Sequence, residues 1–155
     1  MIMEKQSVTH SSFVIERSFP KAPERVFAAF ADPAKKRRWF AESDGFAVRE
    51  FEMDFRVGGI EQSRFKMPDG TPLANDTSYH DIVPNQRIVF AYTMSVAGRR
   101  ISTSLVTIEL LPTGRGTDFI YTEQAAFFEG SDGAEIRKAG WSTIFERLER
   151  ELAGS

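Results

Sequence analysis

The sequence predicts an α+β fold, in which a curved antiparallel sheet of six to seven strands wraps around a long C-terminal helix and two short helices follow the first strand. Three observations favour this class. Apolar and polar residues alternate with period two in runs between residues 50 and 127, turn signals separate these runs, and one amphipathic helix closes the chain. Because antiparallel strands bury one face, that face and the helix are expected to share a core.

The N-terminal part predicts one strand and two short helices. His10–Phe19 is rich in β-branched and aromatic residues, which is typical of a strand. Pro23 opens a helix of about two to three turns, because proline is well suited to the first helical position. Asp32 ends that helix and can cap a second one that begins at Pro33 and runs to Phe40.

The middle of the chain predicts a meander of six strands joined by short turns. Glycine, proline, asparagine and aspartate mark the breaks, since these residues adopt turn conformations readily. The predicted strands are Phe51–Val57, Ile60–Met67, Thr77–Val83, Arg87–Met94, Ile101–Leu111 and Thr117–Phe127.

The terminal helix is predicted over Ala134–Ala153, with Gly140 as a weak point inside it. Its apolar residues recur at the spacing of one helical face, and the other face is charged. The apolar stripe consists of Trp141, Ile144, Phe145, Leu148 and Leu152.

Length and composition favour one domain and exclude several classes of site. The chain has 155 residues, which suits a single domain over residues 10–153 preceded by a tail over residues 1–9. The formal net charge of −2 provides no basic field for nucleic acid, and the absence of cysteine excludes disulfides and thiolate sites. With no apolar leader and no membrane-length apolar run, a cytoplasmic protein is expected.

Several short motifs, in this order, resemble the heat-shock-protein-90 ATPase activator homologue family. The resemblance spans residues 13–152 and is carried by the motifs Pro23-Glu24-Arg25-Val26-Phe27, Asp32-Pro33, Trp39-Phe40, Asp54-Phe55-Arg56-Val57-Gly58-Gly59, Val83-Pro84-Asn85-Gln86-Arg87-Ile88-Val89-Phe90, Gly116-Thr117 and Gly140-Trp141. It implies the helix-grip fold of the START and pollen-allergen (SRPBCC) superfamily, with a cavity between helix and sheet.

The resemblance also bears on partners. It implies a chaperone as a possible protein partner and an association with the stress response, although many stand-alone members have no assigned activity. The eukaryotic co-chaperone that gives the family its name makes much of its chaperone contact through a separate N-terminal domain. This chain begins almost directly at its first strand, so full activator function is not expected.

Two carboxylates are weak catalytic candidates. Glu123 shares strand parity with Phe119 and Tyr121, so it is expected to point inward, where a carboxylate can act as a general acid or base. Asp81 shares parity with Tyr79 in the same way. The alternative is that Glu123 is hydrated at a cavity mouth or paired with an arginine.

Aromatic residues are the candidates for lining a ligand cavity. Fourteen phenylalanines accompany three tyrosines and two tryptophans, which predicts a bulky interior. Most of these rings are expected to be ordinary core, and a subset is predicted to border a void of ligand size. The candidates are Trp39, Phe65, Tyr79, Phe90, Tyr92, Phe119, Tyr121, Trp141 and Phe145.

The remaining polar signals predict neither a metal nor a cofactor. His10 and His80 are far apart in sequence and form no ligand spacing, and Gly58-Gly59 precedes no helix that could bind phosphate. The basic run Lys35–Arg38 is interpreted as a solvated helix face rather than a nucleic-acid site.

Three functions remain open at this stage. The leading hypothesis is a non-catalytic domain, monomeric or homodimeric, whose cavity binds a small apolar or amphipathic molecule. The second is a chaperone-associated interaction module, which a contiguous exposed apolar patch would favour. The third is a cavity enzyme of cyclase or hydrolase type, which converging polar side chains inside the cavity would favour.

Overall fold

A computed structural model describes residues 7–42 and 45–154 of the chain. The strands are β1 (Thr9–Phe19), β2 (Ala47–Met53), β3 (Ile60–Lys66), β4 (Pro72–Val83), β5 (Arg87–Val96), β6 (Arg99–Thr113) and β7 (Gly116–Phe127). The helices are α1 (Pro23–Ala31), α2 (Pro33–Lys36) and α3 (Gly133–Ala153), and a π-helical turn (Arg37–Ala41) continues α2. Most of the predicted N-terminal tail, residues 1–6, lies outside the described residues.

All seven strands form one antiparallel sheet in the order β1-β7-β6-β5-β4-β3-β2. Strands β2 to β7 follow one another as a meander, and β1 returns to pair with β7. The first strand and the last strand are therefore neighbours at one edge. This arrangement, with the two short helices after β1 and the long helix at the end, confirms the predicted α+β helix-grip class.

The long helix covers the inner face of the sheet unevenly. It packs against β1, β7, α1 and the π-helical turn. On this side Phe145 is fully buried, and its ring centroid lies 5.0 Å from that of Phe119 and 5.1 Å from that of Tyr121. The inner faces of β3, β4 and β5 lie toward the other edge of the sheet.

The short helices begin where the sequence predicts, but α2 ends at Lys36 and the π-helical turn, rather than α2 itself, continues past the predicted end at Phe40. Pro23 is the first residue of α1 and Pro33 the first residue of α2. A carboxylate oxygen of Asp32 accepts hydrogen bonds from the backbone N–H groups of Ala34 at 2.9 Å and Lys35 at 3.3 Å. These donors would otherwise have no partner at the helix start, so Asp32 caps α2 as predicted.

Two strands differ from the predicted boundaries by four or five residues because of their hydrogen bonds, and the others differ by one or two. β2 ends at Met53, since Asp54 to Gly59 form a turn in which the Asp54 N–H donates to the Ile60 carbonyl at 2.9 Å. β4 begins at Pro72, five residues before the predicted Thr77, because residues 72–78 pair with β3. Pairing across the sheet thus overrides the weak strand propensity of this segment.

Candidate functional site

A groove of about 350 Å³ opens between α3, the π-helical turn and the inner faces of β3, β4 and β5. Most of its lining is apolar, which is the usual character of a small-molecule site. The groove is lined by Phe40, Ala41, Phe46, Phe65, Leu73, Asn75, Met94, Gly140, Thr143, Ile144 and Arg147.

The strand register places the sheet residues of the groove side by side. Phe65 on β3 pairs with Leu73 on β4, and Asn75 on β4 pairs with Met94 on β5. Because side chains alternate along a strand, Leu73 and Asn75 point to the same face of the sheet. The inward face of three neighbouring strands therefore forms the floor of the groove.

The helix wall of the groove has a gap at Gly140. Gly140, Thr143, Ile144 and Arg147 follow the i, i+3, i+4, i+7 spacing of one helical face. A Cβ atom added at Gly140 would meet no other atom within 4 Å. The missing side chain therefore leaves open space that belongs to the groove.

The helix is tied to the π-helical turn at the rim of the groove. The Nε–H of Arg147 donates to the backbone carbonyl of Trp39 at 3.0 Å. One turn further on, Glu151 accepts two hydrogen bonds from Arg38, at 3.0 and 2.8 Å. Two parallel bonds of this kind hold a fixed geometry, so the two walls meet in one defined arrangement.

Two polar atoms on the inner face of β3 and β4 have no hydrogen-bond partner within the described part of the chain. They are Oγ of Ser63, which is fully buried, and Oδ1 of Asn75, whose side chain belongs to a residue only 8% exposed. Ser63 and Asn75 are directly opposite each other in the register. Because buried polar groups are nearly always paired, this position calls for a partner.

A buried ion pair lies behind the groove. Lys36 Nζ donates to Glu61 Oε1 at 2.7 Å, and the hydroxyl of Tyr79 donates to the same oxygen at 2.5 Å. Lys36 is 6% exposed, and Nζ lies 5.1 Å from the centroid of the Phe40 ring. The interpretation of Lys35–Arg38 as a solvated face is therefore wrong for Lys36, because this residue lies on the buried side of α2 together with Phe40, four residues further on.

Glu123 is fully buried within a second polar cluster, beneath the first turns of α3. Its Oε1 accepts a hydrogen bond from Tyr121 at 2.6 Å, and its Oε2 accepts one from Tyr92 at 2.8 Å and one from Ser104 at 2.7 Å. The guanidinium of Arg137 lies 3.4 Å from the same Oε2. Glu123 thus points inward, as strand parity predicts. It is paired with an arginine, which was the alternative to a catalytic role.

Arg137 links this cluster to the loop before α3. Its side chain donates to Asp132 twice at 2.8 Å, to Ser102 at 2.8 Å and to Tyr92 at 2.9 Å. Burial opposes the charge of Arg137, but the hydrogen bonds and the carboxylate of Asp132 outweigh it and raise its pKa. Burial would also raise the pKa of Asp132, yet the bonds from Arg137 lower it. Both groups therefore remain charged.

Of the nine residues predicted to line a cavity, the structure places Phe65 in the floor of the groove. The other eight are buried in the core, where their rings pack against one another. Trp141, for example, follows Gly140 but points toward the sheet, and the Phe40 ring stacks on it at 5.7 Å between centroids. Trp39, Tyr79, Phe90, Tyr92, Phe119, Tyr121 and Phe145 complete this packed set.

The expected inward orientation of Asp81 is wrong. A β-bulge between Tyr79 and Asp81 shifts the register by one residue, which ends the shared parity. The Asp81 side chain is 42% exposed and pairs with Arg87 at 2.7 Å. Asp81 is therefore a surface residue, away from the groove and from the cluster around Glu123.

Ten of the eleven groove residues were not predicted to line a cavity, and they include the rings of Phe40 and Phe46 as well as smaller and polar side chains. Ala41, Asn75 and Met94 belong to none of the motifs quoted above, whereas Phe40 and Gly140 do. Gly140 was one available signal, because a glycine inside a helix lowers its stability and therefore suggests that a side chain is unwanted at that position.

Residues 7–42 and 45–154 lack both a cluster of metal ligands and a membrane-spanning helix. This part of the chain contains no group of three or more histidine, cysteine, aspartate or glutamate residues that could hold a metal ion. No helix there is long and apolar enough to cross a membrane.

Comparison with known proteins identifies relatives of the same fold. A family model described as activator of Hsp90 ATPase homolog 1-like protein matches residues 21–153. No functionally curated protein matches the chain.

Three solved structures illustrate the range of similarity. An uncharacterized protein from Rhizobium leguminosarum is 36% identical with a TM-score of 0.93, covering 98% of this chain and 100% of its own. The protein Mll3558 from Rhizobium loti is 50% identical with a TM-score of 0.87, covering 94% and 99%. An AHSA1-like protein from Aeromonas hydrophila is 21% identical with a TM-score of 0.69, covering 93% of both chains, and shares the fold.

Proposed function

The chain belongs to the family of activator of Hsp90 ATPase homolog 1-like proteins, and we propose that it is a non-catalytic binding domain that takes a small apolar or amphipathic molecule into the groove. The groove itself is the observation that carries this proposal. Its volume of about 350 Å³ falls within the range of about 300–1,000 Å³ that is usual for small-molecule sites.

The distribution of apolar side chains supports binding inside the groove. Six large apolar side chains surround the space, and the open position at Gly140 widens it on the helix side. Burying apolar ligand surface contributes about 25 cal/mol per Å² before the costs of association are subtracted. The six are Phe40, Phe46, Phe65, Leu73, Met94 and Ile144.

The polar clusters give less support to a catalytic function. Polar side chains do converge inside the protein, around Glu123 and around Glu61. Neither carboxylate is among the residues that line the groove. A reacting group held in the groove would therefore not touch them, whereas a general acid or base must lie within hydrogen-bond reach.

The surface gives less support to a chaperone-associated interaction module. Exposed large apolar side chains of the described residues are distributed over several elements rather than gathered in one. Val14 lies on β1, Leu105 and Leu111 on β6, and Ile136 on α3. Single exposed apolar residues are normal on protein surfaces and do not define an interface.

Blocking the groove tests the proposed function. N-phenyl-1-naphthylamine, a neutral apolar fluorophore, is titrated into the protein, and its emission is expected to rise on binding. Gly140→Leu places a side chain into the open space and is expected to weaken binding at least about tenfold, which corresponds to ~1.4 kcal/mol. Ala139→Leu is the matched control, because Ala139 is exposed and does not line the groove.

Gly140→Ala separates blocking from a change in helix stability. It improves helix propensity as the leucine does but adds a single methyl group, so it is expected to retain most of the binding. Equal affinity of the wild type, Gly140→Leu and Ala139→Leu would show that the fluorophore binds elsewhere, and the proposed function would be wrong.

A further inference from the structure

We infer that the molecule in the groove is an amphipathic anion, whose apolar body lies in the groove and whose carboxylate head group is held by Arg147 at the rim. This inference rests on the proposed function and specifies the chemical class of the ligand. Aromatic and short acyl carboxylates belong to this class, and amphipathic cations do not.

The first step is the charge of the groove lining. Arg147 is the one charged side chain among the described residues that line the groove, and none of them is acidic. The polar residues Asn75 and Thr143 of the lining are uncharged, and the Thr143 hydroxyl already donates to the Ala139 carbonyl at 3.2 Å. The groove therefore presents a positive charge beside apolar surface, which is complementary to an amphipathic anion.

The second step is the position of Arg147. It lies seven residues after Gly140 on the same face of α3, which corresponds to about 10 Å along the helix axis. Arg147 is partly buried and contacts the π-helical turn at the rim. A carboxylate bound there keeps part of its hydration, so its charge costs less to desolvate than in the core. The apolar body of the ligand can extend from the rim toward Gly140.

The third step is that the protein itself holds the guanidinium in place. The Nε–H of Arg147 donates to the Trp39 carbonyl at 3.0 Å, and the indole N–H of Trp39 donates to the Ala29 carbonyl at 2.9 Å. A guanidinium has five N–H donors in a rigid fork, so it can bind a carboxylate while it keeps other contacts. Because the side chain is already ordered, binding loses less side-chain entropy.

The fourth step concerns the acidic side chains Glu42 and Glu151, which lie near the rim and would repel an anion if they were unpaired. Glu151 accepts two hydrogen bonds from Arg38, at 3.0 and 2.8 Å. Glu42, directly after the π-helical turn, accepts one from Arg37 at 3.2 Å. Each negative charge is thus matched by a positive charge, which weakens its repulsion of a ligand carboxylate.

Three probes that share a naphthalene ring and differ in charge test this inference. The affinities of 2-naphthoate, the neutral 2-naphthamide and 2-naphthylmethylammonium for the full chain are measured at pH 7 by displacement of N-phenyl-1-naphthylamine. We expect 2-naphthoate to bind roughly three- to tenfold more tightly than 2-naphthamide, because charge-assisted hydrogen bonds are stronger than neutral ones. We expect 2-naphthylmethylammonium to bind the most weakly.

Substitution of Arg147 locates the effect. Arg147→Met keeps an unbranched side chain but removes the charge. In this variant the preference for 2-naphthoate over 2-naphthamide is expected to fall to about one while 2-naphthamide is still bound. Arg147→Lys retains the charge without the fork and should retain part of the preference. Arg150→Met is the matched control, because it removes the same charge from the exposed side of α3, and the preference should persist.

A salt titration of the wild type provides a second test, which does not depend on the folding of Arg147→Met. Salt screens a partly exposed ion pair. Raising sodium chloride from about 0.02 M to about 0.5 M should therefore reduce the preference for 2-naphthoate over 2-naphthamide at least about twofold. An unchanged preference would overturn the inference.

The outcomes separate this inference from the proposed function. Equal affinities of 2-naphthoate and 2-naphthamide would overturn the inference, as would a preference for 2-naphthoate that persists in Arg147→Met. Failure of all three probes to displace a fluorophore that Gly140→Leu does displace would also overturn it, and would leave the groove as a site for neutral apolar molecules. Fluorophore binding that Gly140→Leu does not weaken would contradict the proposed function itself.

Discussion

At the scale of single residues, inward-pointing polar side chains have very different environments. Glu123 is fully buried, and both of its oxygens accept hydrogen bonds. Asn75 is also buried, yet its Oδ1 has no partner among the described residues. Strand parity predicts that Glu123 points inward, but it cannot predict the partners, because Tyr92, Ser104 and Arg137 come from other strands and from α3.

Removal of Arg137 tests the energetic role of the buried cluster. Arg137→Met leaves the charge of Glu123 without its cation and is expected to cost about 3–5 kcal/mol of unfolding free energy. Urea denaturation measures this change. Arg150→Met, on the exposed side of the same helix, is the control and should change stability by about 0.5 kcal/mol or less. Similar effects of the two substitutions would contradict the assigned role.

Truncation of neighbouring residues on α3 tests where packed core ends and the groove begins. Phe145 is fully buried among Phe119, Tyr121 and Trp141, so Phe145→Ala is expected to cost about 3–5 kcal/mol. Ile144 borders the groove and is partly buried, so Ile144→Ala should cost clearly less. Chemical denaturation compares the two, and a larger loss for Ile144→Ala would contradict the placement of the groove.

At the scale of elements, local signals predict helices better than strand boundaries. The cap at Asp32 and the prolines that open α1 and α2 act within a few residues, so the sequence shows them directly. β4 begins earlier than predicted because its first residues gain their hydrogen bonds from β3. The bulge after Tyr79 is likewise a property of the pairing between β4 and β5, and it reverses the expected face of Asp81.

Two glycines in different elements should respond oppositely to alanine. Gly140→Ala is expected to raise the free energy of unfolding by roughly 0.5–1 kcal/mol, because the helix gains propensity and the added Cβ meets no atom. Gly116→Ala should destabilise the protein, because its Cβ would lie 2.0 Å from the carbonyl oxygen of Phe19. Thermal unfolding of both variants checks the signs, and a stabilising Gly116→Ala would contradict the close approach of β7 to β1.

At the scale of the whole molecule, the fold was predictable and the groove was not. Periodicity and turn signals suffice to predict a curved sheet with a covering helix, since each acts along one stretch of chain. The groove depends on how far α3 lies from β3, β4 and β5, and distant packing against β1, β7 and the π-helical turn determines that distance. Eight of the nine rings predicted to line a cavity are therefore packed in the core instead of lining the groove.

Alkaline titration tests the core as a whole, because all three tyrosines of the chain are buried. Burial, together with the nearby carboxylates Glu61 and Glu123, raises the pKa of Tyr79, Tyr92 and Tyr121 above the ordinary 10.0. The folded state holds these protons more tightly than the unfolded state, so this stabilisation is complete below pH 10 and is lost as the pH rises further.

The absorbance of tyrosinate at 295 nm should therefore remain flat through pH 10 and rise only with unfolding, which circular dichroism follows in parallel. The protein in guanidinium chloride is the control and should titrate near pH 10. A rise at pH 10 in the folded protein would contradict the burial of at least one of the three rings.

The central claim is that a small apolar molecule binds in the groove beside α3, and methyl NMR spectroscopy tests it most directly. Naphthalene is titrated into protein with labelled isoleucine, leucine and methionine methyl groups. We expect chemical-shift changes concentrated at Leu73, Met94 and Ile144, which line the groove, with little change at Ile108 and Leu148, which are fully buried in the core. Saturating naphthalene that leaves the three groove methyl groups unshifted would contradict the claim.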